Sequence, residues 1–327
     1  MANSQQKTGA GSEQREVQRE QDRRDAQQPG GGEQKEPVQA GHRDYPAPPL
    51  PGQHLEKPGL EHAMQLKPQF MAPDYCGSGK LAGMAAVITG GDSGIGRAVA
   101  VLYAREGADV ALAYLPDEEQ DAVETRKYVE AEGQRCILIP GDVREPGYCR
   151  HVADETVRAF GRIDILVNNA AFQEHAGTLE ELSEERFDLT MKTNIYGYFH
   201  MAKAVLPHLK RGGSIINTGS VVGLRGSQHL LDYSTTKGAI HAFTMSLASN
   251  LMEKGIRVNA VAPGPVWTPL NPADQAPEKI KEFGSKTDMR RPAQPEEISP
   301  AFVFLAAPSC SSYISGIVLP ITGSVGE

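Results

Sequence analysis

The chain has 327 residues, 39% of them hydrophobic and 23% charged, with a formal net charge of −8. So mildly acidic a balance leaves no electrostatic footprint for nucleic acid or anionic lipid. The nine histidines show no H-E-x-x-H spacing, and Cys76, Cys136, Cys149 and Cys310 lie far apart, so neither a metal centre nor a disulfide framework is expected. The opening "MANSQQKTGAGSEQ" lacks the apolar core of a signal peptide, and no apolar run is long enough to span a bilayer. A reducing, cytoplasmic setting is the expectation.

Composition changes near residue 80. Roughly the first 40 residues are rich in Gln and mixed charge, cannot bury enough apolar surface to offset the entropy of ordering, and are expected to be disordered. From about residue 45 to residue 80 the Pro- and Gly-punctuated sequence reads as an extended arm with scattered apolar anchors, Leu60, Met64, Leu66, Phe70 and Met71. A solubilising leader and an arm that clasps another subunit both fit. The expected organisation is a tail and arm over 1–80 and one folded domain over 81–327.

Past residue 81, short apolar runs alternate with helical spacing. "AAVIT", "ADVALAY", "RCILIPGD", "IDILVNNA", "GSIINTGS", "IRVNAVAPG" and "GIVLPIT" are strand candidates, and a long helical stretch is expected from Glu184 to Lys210. Strands of this length separated by helices imply crossover units and a parallel sheet covered on both faces. The fold class is α/β, a doubly wound, Rossmann-like parallel sheet. In such a sheet ligands bind beyond the carboxyl ends of the strands, so the loops there carry the information.

"TGGDSGIG" follows the first strand, with Gly90, Gly94 and Gly96 at the strand-to-helix turn. Glycine permits positive φ and close backbone approach, and the helix N-terminus beyond offers free N–H groups to a pyrophosphate, although tight turns also use glycine for geometry alone. The second strand ends at Tyr114 and Leu115, with neither an acid suited to the ribose hydroxyls of NAD nor an arginine for the 2′-phosphate of NADP. That leaves NADP or NAD open, with a lean to NADP or dual use. Asp142, with Val143 after it, closes the third strand, where an Asp can accept from the adenine amino group or simply sit in a loop. "NNAA" from Asn168 brings small residues near a cofactor, or forms a turn.

"LLDYSTTKGAI" places Tyr233 and Lys237 four residues apart on one helical face. Alone, such a pair is an everyday surface feature. None of the other nine tyrosines has a Lys at this spacing, however, and the pair follows "INTGS", where Ser220 closes a strand at the same sheet edge. Reducing a carbonyl needs a proton donor for the forming alkoxide and a second donor to polarise the C=O. A phenol with a pKa of about 10 is a poor base near neutrality. An ammonium about 4 Å away, at an effective dielectric of about 20, contributes roughly 4 kcal/mol, enough for about three units. Tyr233 as acid/base, Lys237 as tuner and Ser220 as carbonyl donor therefore form a coherent set.

Taken together, these motifs resemble the short-chain dehydrogenase/reductase family, and the resemblance covers residues 81–327. It rests on T-G-x-x-x-G-x-G at Thr89 to Gly96, Asp142, N-N-A-A at Asn168, Asn194 in "MKTNIYG", Ser220, Tyr233-x-x-x-Lys237 and "PGPVWT" from Pro263. "ITGGDSGIGRA", "LLDYSTTKGAI" and "APGPVWTPL" are most similar to the general-stress, glucose-and-ribitol-dehydrogenase-like branch. The resemblance implies catalysis by Ser220, Tyr233, Lys237 and Asn194, the last supporting a water in the proton relay. It implies cofactor contacts from Gly90, Ser93, Gly94, Ile95, Gly96, Tyr114, Asp142, Val143, Asn169 and Lys237, with Lys237 on the nicotinamide ribose. Pro263, Gly264, Val266 and Thr268 belong to the segment that positions the carboxamide. Two departures stand out: Ala171 replaces the family's usual glycine, and "LPITGSVGE" lacks the usual Asn-Gly-Gly near a common subunit contact. A homotetramer is the expected assembly.

The loops after the fourth, fifth and sixth strands should wall the substrate pocket. Gln173, His175, Arg225, Gln228 and His229 suit the hydroxyls of a polyol or sugar, and Trp267 suits an aliphatic aldehyde. The expected activity is hydride transfer between NAD(P) and a small aldehyde, ketone or polyol. A catalytically silent dinucleotide-binding redox sensor or scaffold is the alternative, disfavoured because the Ser, Tyr, Lys and Asn positions are all filled.

Overall fold

Every expected strand forms. In a computed structural model, which describes residues 36–324, they are β1 (Ala85–Thr89), β2 (Asp109–Tyr114), β3 (Cys136–Pro140), β4 (Ile165–Asn168), β5 (Ser214–Thr218), β6 (Arg257–Pro263) and β7 (Val318–Ile321). They make one sheet in the order β3-β2-β1-β4-β5-β6-β7 with every pairing parallel. The expected disorder of the first residues lies, up to residue 35, outside the described residues.

Alternation along each strand divides the core in two. On one face Ala86, Ile88, Val110, Leu112 and Val167 pack against Val99, Leu102 and Tyr103 of α1 (Gly94–Arg105), together with residues of Pro295–Ala306 such as Phe302. On the other face Val87, Ala111, Leu166 and Ile215 meet Val152, Met201 and Leu251. These belong to α3 (Pro146–Phe160), α5 (Gly197–Val205) and α7 (Leu231–Leu251), α2 being Glu119–Ala131, α4 Glu184–Met191 and α6 the short Val222–Arg225. The order reverses between β1 and β4, which puts a crevice at their carboxyl ends.

The long helix expected over 184–210 is interrupted. Between α4 and α5 lies a π turn, Lys192–Tyr196, and the added residue turns Asn194 inward, where it is fully buried. Among the described residues no helix is long and apolar enough to cross a membrane.

Nor does the arm stand apart from residue 81 onward, because residues from Pro37 on form one compact unit with the domain. The reason is apolar burial within the same chain. Leu50, Leu55 and Met64 pack with Trp267, Ala273 and Ile280, and the Trp267 indole donates to Leu66 O at 3.0 Å. Phe70 stacks edge-on against Tyr128 at 5.0 Å, whereas Met71 stays exposed. Arg43 pairs with Glu296 at 2.8 Å, and Glu296 also accepts the Ala72 N–H.

At its far end the arm is tied to Glu106, which accepts from the Tyr75 hydroxyl and from the Ser78 and Lys80 N–H groups. Burial alone would raise this carboxyl, but those bonds, led by Tyr75, bring it down to about 2. A depressed folded-state value stabilises above the unfolded value, and that stability is lost as pH falls through the folded one. Wild-type Tm should therefore drop more steeply than that of Glu106→Gln between pH 4.5 and pH 2, and parallel curves from the two proteins would refute the assignment.

Candidate active site

The crevice opens into a cavity of about 570 Å³. At its floor is the glycine-rich turn between β1 and α1. Gly90 has φ +60° and a side chain there would meet Ala170 Cα at 3.0 Å; Gly94 has φ +50° beside Thr268. A Cβ on Gly96 would come within 1.9 Å of Gly90 O. Gly90, Ser93, Gly94 and Ile95 line the cavity, whereas Gly96 does not and serves the close packing of α1 on the turn. The Thr89 hydroxyl accepts from Asn169 N at 2.9 Å and Ala170 N at 3.1 Å, lacing the ends of β1 and β4 together.

Tyr114, Asp142, Val143, Asn169, Pro263, Gly264, Val266 and Thr268 also reach the cavity wall. Asp142 is not free there: Arg144, another lining residue, donates to its carboxylate from Nε at 2.7 Å. Beyond Tyr114 a half-buried acid not singled out from sequence, Glu118, lines the wall and accepts the Leu115 N–H at 2.9 Å. Burial, then the neighbouring Asp92, pushes its carboxyl up, which weakens the negative charge it offers at the strand tip.

Ser220, Tyr233 and Lys237 converge on the opposite wall. α7 starts at Leu231, so Tyr233 and Lys237 fall in its first two turns and face the end of β5. Lys237 Nζ donates to Thr218 O at 2.7 Å and lies 5.3 Å from the centre of the Tyr233 ring. Burial raises the Tyr233 phenol well above its ordinary value, as does the charge of Asp274, with a hydrogen bond to the Ser220 side chain acting the other way. Burial also brings Lys237 down to about 7. The expected lowering of the phenol by its lysine is therefore corrected. Desolvation dominates both groups, and the amine's own charge is only partly present at neutral pH.

Asn194 does not line the cavity. Its amide accepts from Phe172 N at 2.8 Å and donates to Phe172 O at 2.9 Å and to Thr236 Oγ1 at 3.0 Å. It thus clamps Phe172, which does line the wall, to α7. His241, one turn beyond Lys237, brings Nε2 to 3.5 Å from Ser220 N; burial and then the Lys237 charge hold it below its ordinary value.

Of the substrate candidates, Gln173 and Arg225 reach the cavity. Trp267 does not: it is 2% exposed and spent on the arm. His175 is held by Asp274 at 2.7 Å, and Gln228 and His229 bond each other near the surface. Asp274, also missed from sequence, is buried and receives Gln173 Nε2 at 2.7 Å and His175 N at 2.8 Å. Glu174, His175 and Asp274 cluster, but the Lys57 ammonium stands 3.1 Å from Glu174, where it would repel a cation.

A doubly wound sheet, a glycine turn at its switch point and a Ser–Tyr–Lys set across one cavity define a dinucleotide-dependent oxidoreductase fold. The chain belongs to the short-chain dehydrogenase/reductase family, whose members are NAD(P)-dependent oxidoreductases. A family model described as enoyl-(acyl carrier protein) reductase matches residues 90–324. The chain is 52% identical over 276 residues to NADPH-dependent aldehyde reductase 1, chloroplastic, of Arabidopsis thaliana, covering 83% of this chain and 96% of that one. It is 48% identical over 279 residues to glucose and ribitol dehydrogenase of Daucus carota, covering 84% and 95%. A short-chain dehydrogenase from Burkholderia cenocepacia, solved with NADP, superposes with a TM-score of 0.69 at 33% identity, over 75% of this chain and 98% of the other.

Proposed function

We propose that the protein reduces small aldehydes or ketones with NADPH, and oxidises the corresponding alcohols or polyols in reverse. One observation carries this reading: Ser220, Tyr233 and Lys237 meet in the cavity whose floor is the glycine-rich turn. The residues fit the cofactor, since the α1 N-terminus offers amides for a pyrophosphate, Gly90 holds a positive φ and the turn has no room for a side chain at Gly96. When bound, the nicotinamide supplies or accepts the hydride. Ser220 Oγ donates to the carbonyl oxygen, and Tyr233 Oη gives its proton to that oxygen as it becomes an alkoxide. Lys237, close to the phenol, replaces the proton and binds ribose hydroxyls. Asn194 positions the wall through Phe172.

Burial favours the reductive direction, because a phenol held protonated is an acid and not a base. The lean to NADPH is supported by the relatives' names and by the upward push on the Glu118 carboxyl, which lessens the charge opposing a 2′-phosphate. The expected homotetramer is supported by exposed Phe199 and Met245 on α5 and α7, beside an apolar hollow lined by Ile195, Tyr198 and Phe243. A cytoplasmic setting belongs to the same proposal. The test is turnover of purified protein, followed by nicotinamide absorbance with NADPH and NADH separately, on short aldehydes, diketones, glucose and ribitol. Faster NADPH oxidation with an aldehyde or diketone is expected, and a rate with every substrate no higher than the no-substrate blank would sink the proposal.

A further inference from the structure

The N-terminal arm reaches the dinucleotide turn itself. Its short 3-10 turn, Glu61–Ala63, begins with the residue that meets the N-terminus of α1. Glu61 Oε2 accepts the Gly94 N–H at 2.7 Å, and Oε1 accepts from Arg97 Nη1 at 2.6 Å. The carboxylate is sealed from solvent, with Glu61 1% exposed. Arg97 is equally buried and is fixed by Asp92 O at 3.0 Å, Thr125 Oγ1 at 2.8 Å and Asp121 O at 3.1 Å. Asp121 in turn accepts the Glu61 and His62 N–H groups at 2.7 and 3.0 Å, so the arm is gripped by backbone as well as side chain.

Just upstream, Lys57, Pro58 and Gly59 line the cavity. A side chain on Gly59 would strike Ala273 Cβ and Pro269 O, both at 2.8 Å. One arm segment therefore touches the α1 N-terminus on one side and the loop after β6 on the other.

A helix start leaves its first N–H groups without intrahelical acceptors. Glu61 takes the first of these, Gly94, and leaves that of Ile95, a cavity-lining residue, to a ligand. We propose that Glu61 is a positioning residue of the dinucleotide site, an arm-borne carboxylate that holds the Gly94–Gly96 turn in the form that receives the cofactor pyrophosphate. The inference rests on the cavity being a dinucleotide site. An acid so near an anionic ligand is tolerable because Arg97 neutralises it at hydrogen-bond distance, and because burial pushes the carboxyl up to about 7 against the pull of Arg97. Binding linkage is reciprocal, so a cofactor that needs the latched turn also tightens the arm.

The experiment uses the full chain and NADPH as probe, with dissociation constants from nicotinamide fluorescence. Glu61→Ala should weaken binding at least tenfold. Glu61→Gln keeps an oxygen for Gly94 but turns its NH2 toward Arg97, so it should lose less affinity than Glu61→Ala. Should the alanine variant not fold, Glu61→Asp, too short to reach Gly94 and Arg97 together, should lose at least fivefold. Glu296→Gln loosens the arm at a remote anchor and should lower Tm while leaving affinity within twofold. In the wild type, NADPH should slow amide exchange over residues 57–63. A folded Glu61→Ala or Glu61→Asp protein with wild-type affinity would overturn the proposal. Wild type that binds neither NADPH nor NADH would overturn the reading of the site, and this inference with it.

Discussion

Replacing Tyr233 with Phe should lower turnover by about 10²–10⁴-fold, the usual worth of a positioned general acid, while NADPH affinity stays within twofold of wild type. The ring is buried and its contacts persist in Phe, so only the hydroxyl is lost. Steady-state rates with an aldehyde, paired with a fluorescence titration, separate the two effects. A rate within threefold of wild type would mean that another group delivers the proton. The pH dependence has a definite sign. With the phenol's pKa raised by burial, the acid needed for reduction is present throughout the neutral range. The phenolate needed for oxidation appears only as pH rises. The ratio of oxidation to reduction should therefore climb with pH in the wild type, and a ratio that falls would contradict the assignment.

Replacing Trp267 with Ala should destabilise the protein by about 3–5 kcal/mol, the cost of emptying a large buried aromatic site. Trp267 sits in the cluster formed by Leu50, Leu55, Met64, Ala273 and Ile280, with the Phe283 ring 6.3 Å away. Its indole N–H also satisfies the Leu66 carbonyl. Urea denaturation reads the loss directly, and a change below about 1 kcal/mol would show that the site collapses around the gap. Trp267→Phe keeps most of the volume and should forfeit mainly the hydrogen bond, worth about 1 kcal/mol. Because Lys57–Gly59 form part of the cavity wall, the alanine variant should also bind NADPH more weakly.

What was legible in the sequence was local. Alternating apolar runs such as "AAVIT" and "IRVNAVAP" became strands buried along their whole length, since period and length suffice to mark a central parallel strand. The glycine-rich turn was readable because Gly90 takes a positive φ that favours glycine and backbone crowding at Gly96 admits no side chain. Tyr233 and Lys237 were readable because i and i+4 share a helix face. The helix from Glu184 read as continuous because its apolar spacing carries no mark of the π turn that redirects Asn194.

The amino-acid sequence by itself thus determined the sheet, the glycine-rich turn and the Ser220, Tyr233 and Lys237 set. Each depends on neighbours a few residues away or on the strand order they imply. Only the tertiary structure decided what surrounds that set. Glu61 meets Gly94 across 33 positions and Gln173 meets Asp274 across 101, pairings that no local pattern encodes. Trp267 looked like a pocket wall and became the anchor of the arm, because burying Leu50, Leu55 and Met64 requires a large apolar partner in the same chain. The titration of Tyr233 and Lys237 was likewise decided by burial. Desolvation depends on every group packed around the site, so it raised the phenol and lowered the amine where spacing alone suggested the reverse for the phenol.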